Sequence, residues 1–239
     1  MKAAGKPDAL ADRGYAICTI PRSGSNFLGQ LLASTGCLGR PLEYFNGPAR
    51  RVLDDPAFPD DPAEQMHWIR TFGATPNGVY ALKLFPSQHD LVRPHVSWTE
   101  ALPNLRFIYL ERRDVLGQAI SWARAQQTGQ YRSTQPLQAA AAYDLNLIHA
   151  RLRDVAREQA RWTAFFARTG IVPTTLIYEE LMENPQAGVR RIADLFGCAE
   201  TAVIDLSKIN LEIQRDEVVE EWRRRFVAEA GDSSYIDSF

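Results

Sequence analysis

Cysteine is scarce in this sequence and poorly placed for a framework. Cys18, Cys37 and Cys198 are odd in number and form no C-x-x-C pair. They suit a reducing compartment, not a disulfide-stapled scaffold, and offer no zinc site. An excess of one charge is missing too. The 27 Lys and Arg residues face 29 Asp and Glu, giving a formal net charge of -2. A global basic field for nucleic acid is therefore absent, although a local cationic pocket is compatible with that balance. No stretch approaches the ~18 apolar residues of a membrane span. The polar N-terminus, MKAAGKPDALADRGY, lacks the apolar core of a signal peptide. The expectation is a cytoplasmic protein with no membrane span and no nucleic-acid partner. Linkers, repeats and low-complexity tracts are also lacking, so residues 1–239 read as one domain, with residues 1–13 a flexible N-terminus.

What is present is an alternation of short apolar runs and helical patterns. Tyr15–Ile20, Val79–Phe85, Leu105–Leu110 and Thr174–Tyr178 read as strands buried on both faces. Helical spacing follows at Phe27, Leu28, Leu31 and Leu32, with Ser23 or Ser25 as cap and Gly36 as stop. Further helices are expected over Glu64–Phe72, Val115–Ala125, Leu137–Arg168, Pro185–Phe196 and Val218–Glu229. Residues 47–62 are rich in Pro, Asp and Gly and read as a loop; residues 127–136 read as a polar, mobile segment. Strands separated by helices imply an α/β fold: a single domain with a central parallel sheet flanked by helices. Ligands then bind outside the carboxyl ends of the strands.

Three loops leave those ends. The first contains TIPRSGSNFLGQLLASTG, Thr19 to Gly36. It resembles a phosphate-binding loop but lacks the G-x-x-x-x-G-K-[ST] signature. A helix N-terminus suits a phosphate dianion, Gly24 lets the backbone approach closely, and Ser23, Ser25 and Asn26 add donors. Arg22 stands about where the lysine would and can clamp phosphate in a bidentate way. The competing reading is a capped turn with a solvated arginine. The second loop, in FIYLERRDVLGQAISWARA, sets Arg112 and Arg113 at a strand tip and Ser121 on the next helix, a second phosphate grip or a surface arginine pair. Two grips on neighbouring strands suit a nucleotide with phosphates at separate positions. No acidic residue ends an apolar strand as a magnesium ligand would, so ATP hydrolysis is less attractive.

These segments resemble those of sulfotransferases that use 3′-phosphoadenosine 5′-phosphosulfate (PAPS). PRSGS resembles their 5′-phosphosulfate loop, IYLERRDVLGQAIS their 3′-phosphate segment, and LIYEELMENPQAGVRRIADLFG a later strand–helix segment. The likeness is greater to the bacterial trehalose 2-sulfotransferase-like family, through STGCLGRPLEYF, TPNGVYALKL and QAISWARAQQT. The resemblance spans nearly the whole chain. It implies a P-loop-like sulfotransferase fold, PAPS as co-substrate, no metal, a carbohydrate or glycolipid acceptor, and a homodimer.

Residue by residue, it places Arg22, Ser23, Gly24, Ser25 and Asn26 at the 5′-phosphosulfate and Arg112 and Ser121 at the 3′-phosphate. Arg113 has a similar spacing to Ser121 and remains an alternative. Glu43 matches the glutamate regarded as general base. Arg22 would stabilise the leaving oxygen, and Lys83 would either add charge near the sulfonate or snorkel to solvent. In QRDEVVEEW the family arginine falls on Ile213, which leaves Gln214 and Trp222 as weak nucleotide contacts. None of the four histidines falls on a recognised catalytic position. Tyr44, Phe45, Trp68, Trp122 and Tyr131 lie in segments expected to border the cleft, where aromatic rings suit sugars but equally suit core packing. A P-loop-like small-molecule kinase and a non-catalytic nucleotide-binding protein are the alternative readings.

Overall fold

The computed structural model describes residues 10–132, 134–210 and 217–237. Among the described residues, four parallel strands form one sheet in the order β2-β1-β3-β4. They are β1 (Arg13–Cys18), β2 (Val79–Leu84), β3 (Leu105–Glu111) and β4 (Thr174–Ile177). The helices around them are α1 (Ser25–Ser34), α2 (Gly47–Leu53), α3 (Pro62–Thr71), α4 (Pro86–Val92), α5 (Trp98–Ala101), α6 (Val115–Thr128), α7 (Leu145–Thr169), α8 (Tyr178–Glu183), α9 (Pro185–Asp194) and α10 (Glu217–Ala230).

The pleat explains the apolar strand sequences. Tyr15 and Ile17 of β1 face one side, where Leu28, Leu31 and Leu32 of α1 and Val189 and Ile192 of α9 cover them. Ala16 and Cys18 face the other side, against Met66 and Ile69 of α3 and Val155, Trp162 and Phe166 of α7. Both faces are dry, so alternation of polar and apolar residues has no place here. Each fully buried leucine or isoleucine contributes roughly 1.5–3 kcal/mol. A third cluster, Ile120 and Ala123 of α6, Ile148 of α7 and Trp222 and Phe226 of α10, ties the last helix to the site-bearing α6.

Three expectations need correction. Residues 47–62 are not all loop: Asn46 accepts a hydrogen bond from Ala49 N–H at 3.3 Å and caps α2, whose first turn holds Pro48. The Pro and Gly that read as breakers are helix-start residues here. The long helix begins at Leu145, not Leu137. Asp144 caps it, and the Gln127 side chain bonds both N–H and C=O of Ala142, holding that stretch out of the helix. Ala-rich propensity without a packed face does not nucleate a helix. Within the expected flexible N-terminus, Ala11 is buried and exchanges hydrogen bonds with Arg70 through both its N–H and its C=O.

The chain passes from β1 to β2 on one side and returns to β3 on the other. The crevice of such a sheet lies where the order reverses, between the carboxyl ends of β1 and β3.

Candidate active site

A cavity of about 430 Å³ opens at that crevice. Its floor is the turn after β1. Gly24 forms the N-cap of α1 with φ 88°, and no side chain caps the helix. Neither Ser23 nor Ser25 serves as the expected cap, and Gly24, Ser25 and Asn26 line the cavity instead. The first-turn amides and the positive end of the helix dipole are thereby offered to an anion. Gly24 is required twice over, since a Cβ there would stand 2.2 Å from the Tyr178 ring. Ser23 departs from its expected role as a donor into the cavity. It is fully buried, and its hydroxyl bonds Thr19 Oγ1 at 2.6 Å, while Thr19 Oγ1 donates to Leu110 C=O at 3.1 Å. Ser23 therefore sews the turn to β1 and β3.

Arg22 adopts φ 63°, a left-handed backbone that costs a non-glycine residue about 1–3 kcal/mol. Surrounding contacts hold it there. Arg22 Nε donates to Ser121 Oγ at 2.9 Å and Nη1 to Tyr131 C=O at 2.6 Å. Arg112 Nη1 donates to Arg22 C=O at 3.2 Å, and Gln118 Nε2 to Pro21 C=O at 2.7 Å. The two expected phosphate grips are thus one assembly across β1 and β3. The Tyr131 contact also ties the chain just after α6 to the loop.

The adjacent arginines at the β3 tip separate cleanly. Arg112 lines the cavity and stacks over the Tyr178 ring, and its buried Nε has no hydrogen-bond partner among the described residues. Arg113 turns outward, 63% exposed, to pair with Glu180. Glu179 accepts from the N–H groups of Arg113 and Asp114.

Glu43 reaches the cavity because residues 40–43 run beside β2. Lys83 N–H donates to Leu42 C=O at 2.8 Å, so Glu43 emerges next to the Lys83 side chain. Lys83 does not snorkel: its side chain is 3% exposed, with Nζ 2.8 Å from Glu43 Oε1 and 2.5 Å from Asn26 Oδ1. It shares the sheet face of Val79 and Ala81, which α1 covers, and so meets Asn26. Asn46 Nδ2 donates to Glu43 Oε2 at 3.3 Å. Burial alone would push the Glu43 carboxyl up; the Lys83 charge and hydrogen bond, the Asn46 amide and the Arg50 charge outweigh it and hold the carboxyl below its usual range. Burial pulls the Lys83 ammonium below the usual lysine value against the opposing pull of Glu43. The Glu43 carboxylate, the Lys83 ammonium and Asn26 in the first turn of α1 form one continuous contact chain.

The chain as a whole has counterparts among known proteins. The family model described as Stf0 sulphotransferase matches residues 14–229. The chain belongs to the Stf0 sulfotransferase family. It is 30% identical over 260 residues to the trehalose 2-sulfotransferase of Mycobacterium tuberculosis (strain ATCC 35801 / TMC 107 / Erdman), covering 92% of this chain and 96% of that one. It is 28% identical over 256 residues to the trehalose 2-sulfotransferase of Mycolicibacterium smegmatis, covering 90% and 95%. The fold resembles that of a sulfotransferase from Alicyclobacillus acidocaldarius, with TM-score 0.50 and 14% identity over 93% of this chain and 94% of the other.

In this Stf0 sulfotransferase, other expected site residues fall elsewhere. Trp222 is buried in the α6–α7–α10 cluster and does not line the cavity; Gln214 lies outside the described residues. Tyr44 and Phe45 are core residues, and Trp68 packs on Phe58 and Phe72. Trp122 and Tyr131 do line the cavity. Sequence reasoning missed Asn46, Arg50 and Arg132, which also line it. The signal for Asn46 was its cap position before Gly-Pro; Arg50 and Arg132 carried none beyond their charge. Among the described residues no helix is long and apolar enough to cross a membrane.

Proposed function

We propose that this Stf0 sulfotransferase transfers a sulfonate from PAPS to a carbohydrate hydroxyl, with Glu43 as general base. The observation that carries this reading is the Glu43–Lys83–Asn26 chain, which joins a deprotonated carboxylate to the anion-binding turn. The residues fit the donor. Loop amides at the α1 N-terminus and Arg22 would face the 5′-phosphosulfate, and Arg112 and Ser121, which line the same cavity, would hold the 3′-phosphate. Arg112 lines the cavity, which supports an anion at that position. Phe27, Met182 and Val219 supply apolar lining suited to a nucleobase.

The donor supplies the sulfonate and leaves as 3′-phosphoadenosine 5′-phosphate (PAP). Glu43 takes the acceptor's hydroxyl proton as the new O–S bond forms. The bridging S–O bond breaks, and its electron pair stays on the departing phosphate. Arg22 and the loop amides stabilise that charge. Lys83 also tunes the base. As its ammonium is drawn toward the sulfonate it holds Glu43 less tightly, which raises the carboxylate's basicity when the base is needed. The names of the two trehalose 2-sulfotransferases support a carbohydrate as acceptor.

The test is a labelled-sulfonate transfer assay with PAPS and a panel of sugars, alongside thermal unfolding with PAP or ATP–Mg²⁺. Sulfonated sugar and stabilisation by PAP are expected. Stabilisation by ATP–Mg²⁺ alone would overturn the reading in favour of a kinase.

A further inference from the structure

The cavity holds more positive charge than the donor grips account for. Arg50 and Arg132 line it in addition to Arg22, Arg112 and Lys83. They come from different elements: Arg50 from α2, Arg132 from the turn after α6. Both sit on the Glu43 side. Arg50 acts electrostatically on Glu43, Lys83 and Arg132, and Arg132 on Lys83, whereas the groups acting on Arg22 include Arg112, Tyr131, Arg124 and Tyr178. The cavity therefore contains two cationic groups, one around the anion-binding turn and one around the base.

The second group is incompletely neutralised. Arg50 is 1% exposed, a large desolvation for a guanidinium, and among the described residues only Asp54 pairs with it. Its buried Nε has no hydrogen-bond partner there. The Arg132 guanidinium makes no ion pair or side-chain hydrogen bond among the described residues. Burial and the nearby Arg50 charge disfavour its own charge, against the opposing pull of Glu43 and Asp54. Lys83 and Glu43 cancel, and Asp54 cancels one arginine, which leaves one positive charge beside the base. One buried and one half-buried arginine lining the same cavity call for an anion with oxygen acceptors. Glu43 marks where the acceptor's hydroxyl must lie.

We propose that the sugar acceptor carries an anionic group, a carboxylate or a phosphate, that Arg50 and Arg132 bind beside the hydroxyl to be sulfonated. This rests on the sulfotransferase reading above. The arginines would orient the acceptor and reject its uncharged analogue, which leaves them desolvated and unpaired.

Calorimetry on the full chain saturated with PAP tests this, because PAP occupies the first cationic group. The probes are matched pairs: methyl glucoside against methyl glucuronide, and trehalose against trehalose 6-phosphate. The charged member is expected to bind at least about tenfold more tightly at low salt. Binding of the glucuronide alone assigns a carboxylate, and of the sugar phosphate alone a phosphate. Arg132→Gln should erase the preference and leave PAP affinity within about twofold, and Arg132→Lys should recover part of the preference. Equal binding of both members, or a neutral preference, overturns the inference while PAP binding keeps the sulfotransferase reading intact. Failure to bind PAP removes that reading and the inference with it.

Discussion

The Lys83 ammonium lies 2.8 Å from Glu43 and 2.5 Å from Asn26, buried between the proposed base and the turn after β1. A charge in that position is costly to bury and costly to remove. Lys83→Met leaves Glu43 buried without its cation and should destabilise the fold by about 3–5 kcal/mol. Denaturant unfolding should show a lower midpoint at an unchanged m-value. Glu43→Gln in the same chain should recover much of the loss, because the two residues share one interaction.

The same pair sets a pH dependence. Glu43 must be ionised to accept a proton, and its carboxyl is held below the usual glutamate range. The acid limb of kcat/KM should therefore fall below the ordinary glutamate value of about 4.3, with activity lost as pH drops through it. Lys83→Gln removes the chief stabiliser of the carboxylate and leaves the burial, so the limb should move up. A limb that stays in place would detach Glu43 from the rate.

The separation of Arg112 from Arg113 makes a sharp comparison. Arg112→Gln should cost at least about tenfold in PAP binding and abolish the preference for PAP over adenosine 5′-phosphate, which lacks the 3′-phosphate. Arg113→Gln touches an exposed pair and should change neither by much. Titration of both nucleotides against the two variants decides between them.

Much of this site was legible in the sequence, for reasons that differ by element. The strands showed because both of their faces are buried, so Tyr15–Ile17 and Ile108–Leu110 are apolar without interruption. Gly24 and the following helix showed through turn chemistry. Arg112 and Arg113 looked alike because a strand end sends neighbours to opposite sides, and the choice depends on Glu180 and Tyr178, far along the chain. Lys83 could not be resolved from an apolar strand whose face is set by register with β1. Arg50 and Arg132 were invisible because only the fold brings α2 and the 129–136 turn to one cavity. Trp222 misled because an aromatic in a motif-like segment turned out to be the α10 anchor.

The tight turn offers a structural check. Gly24→Ala meets Tyr178 and forces a φ of 88° on an L side chain, so stability should fall by about 1–3 kcal/mol and PAP binding should weaken. Tyr178→Ala in the same chain removes the clash but not the backbone strain, and should restore only part of the midpoint.

The role proposed for Glu43 is to take the acceptor's proton. The most direct measurement is labelled-sulfonate turnover of Glu43→Gln, with PAP affinity measured on the same preparation. A fall in kcat of about 10²–10⁴ with PAP binding preserved is expected. Undiminished turnover by the variant would contradict it.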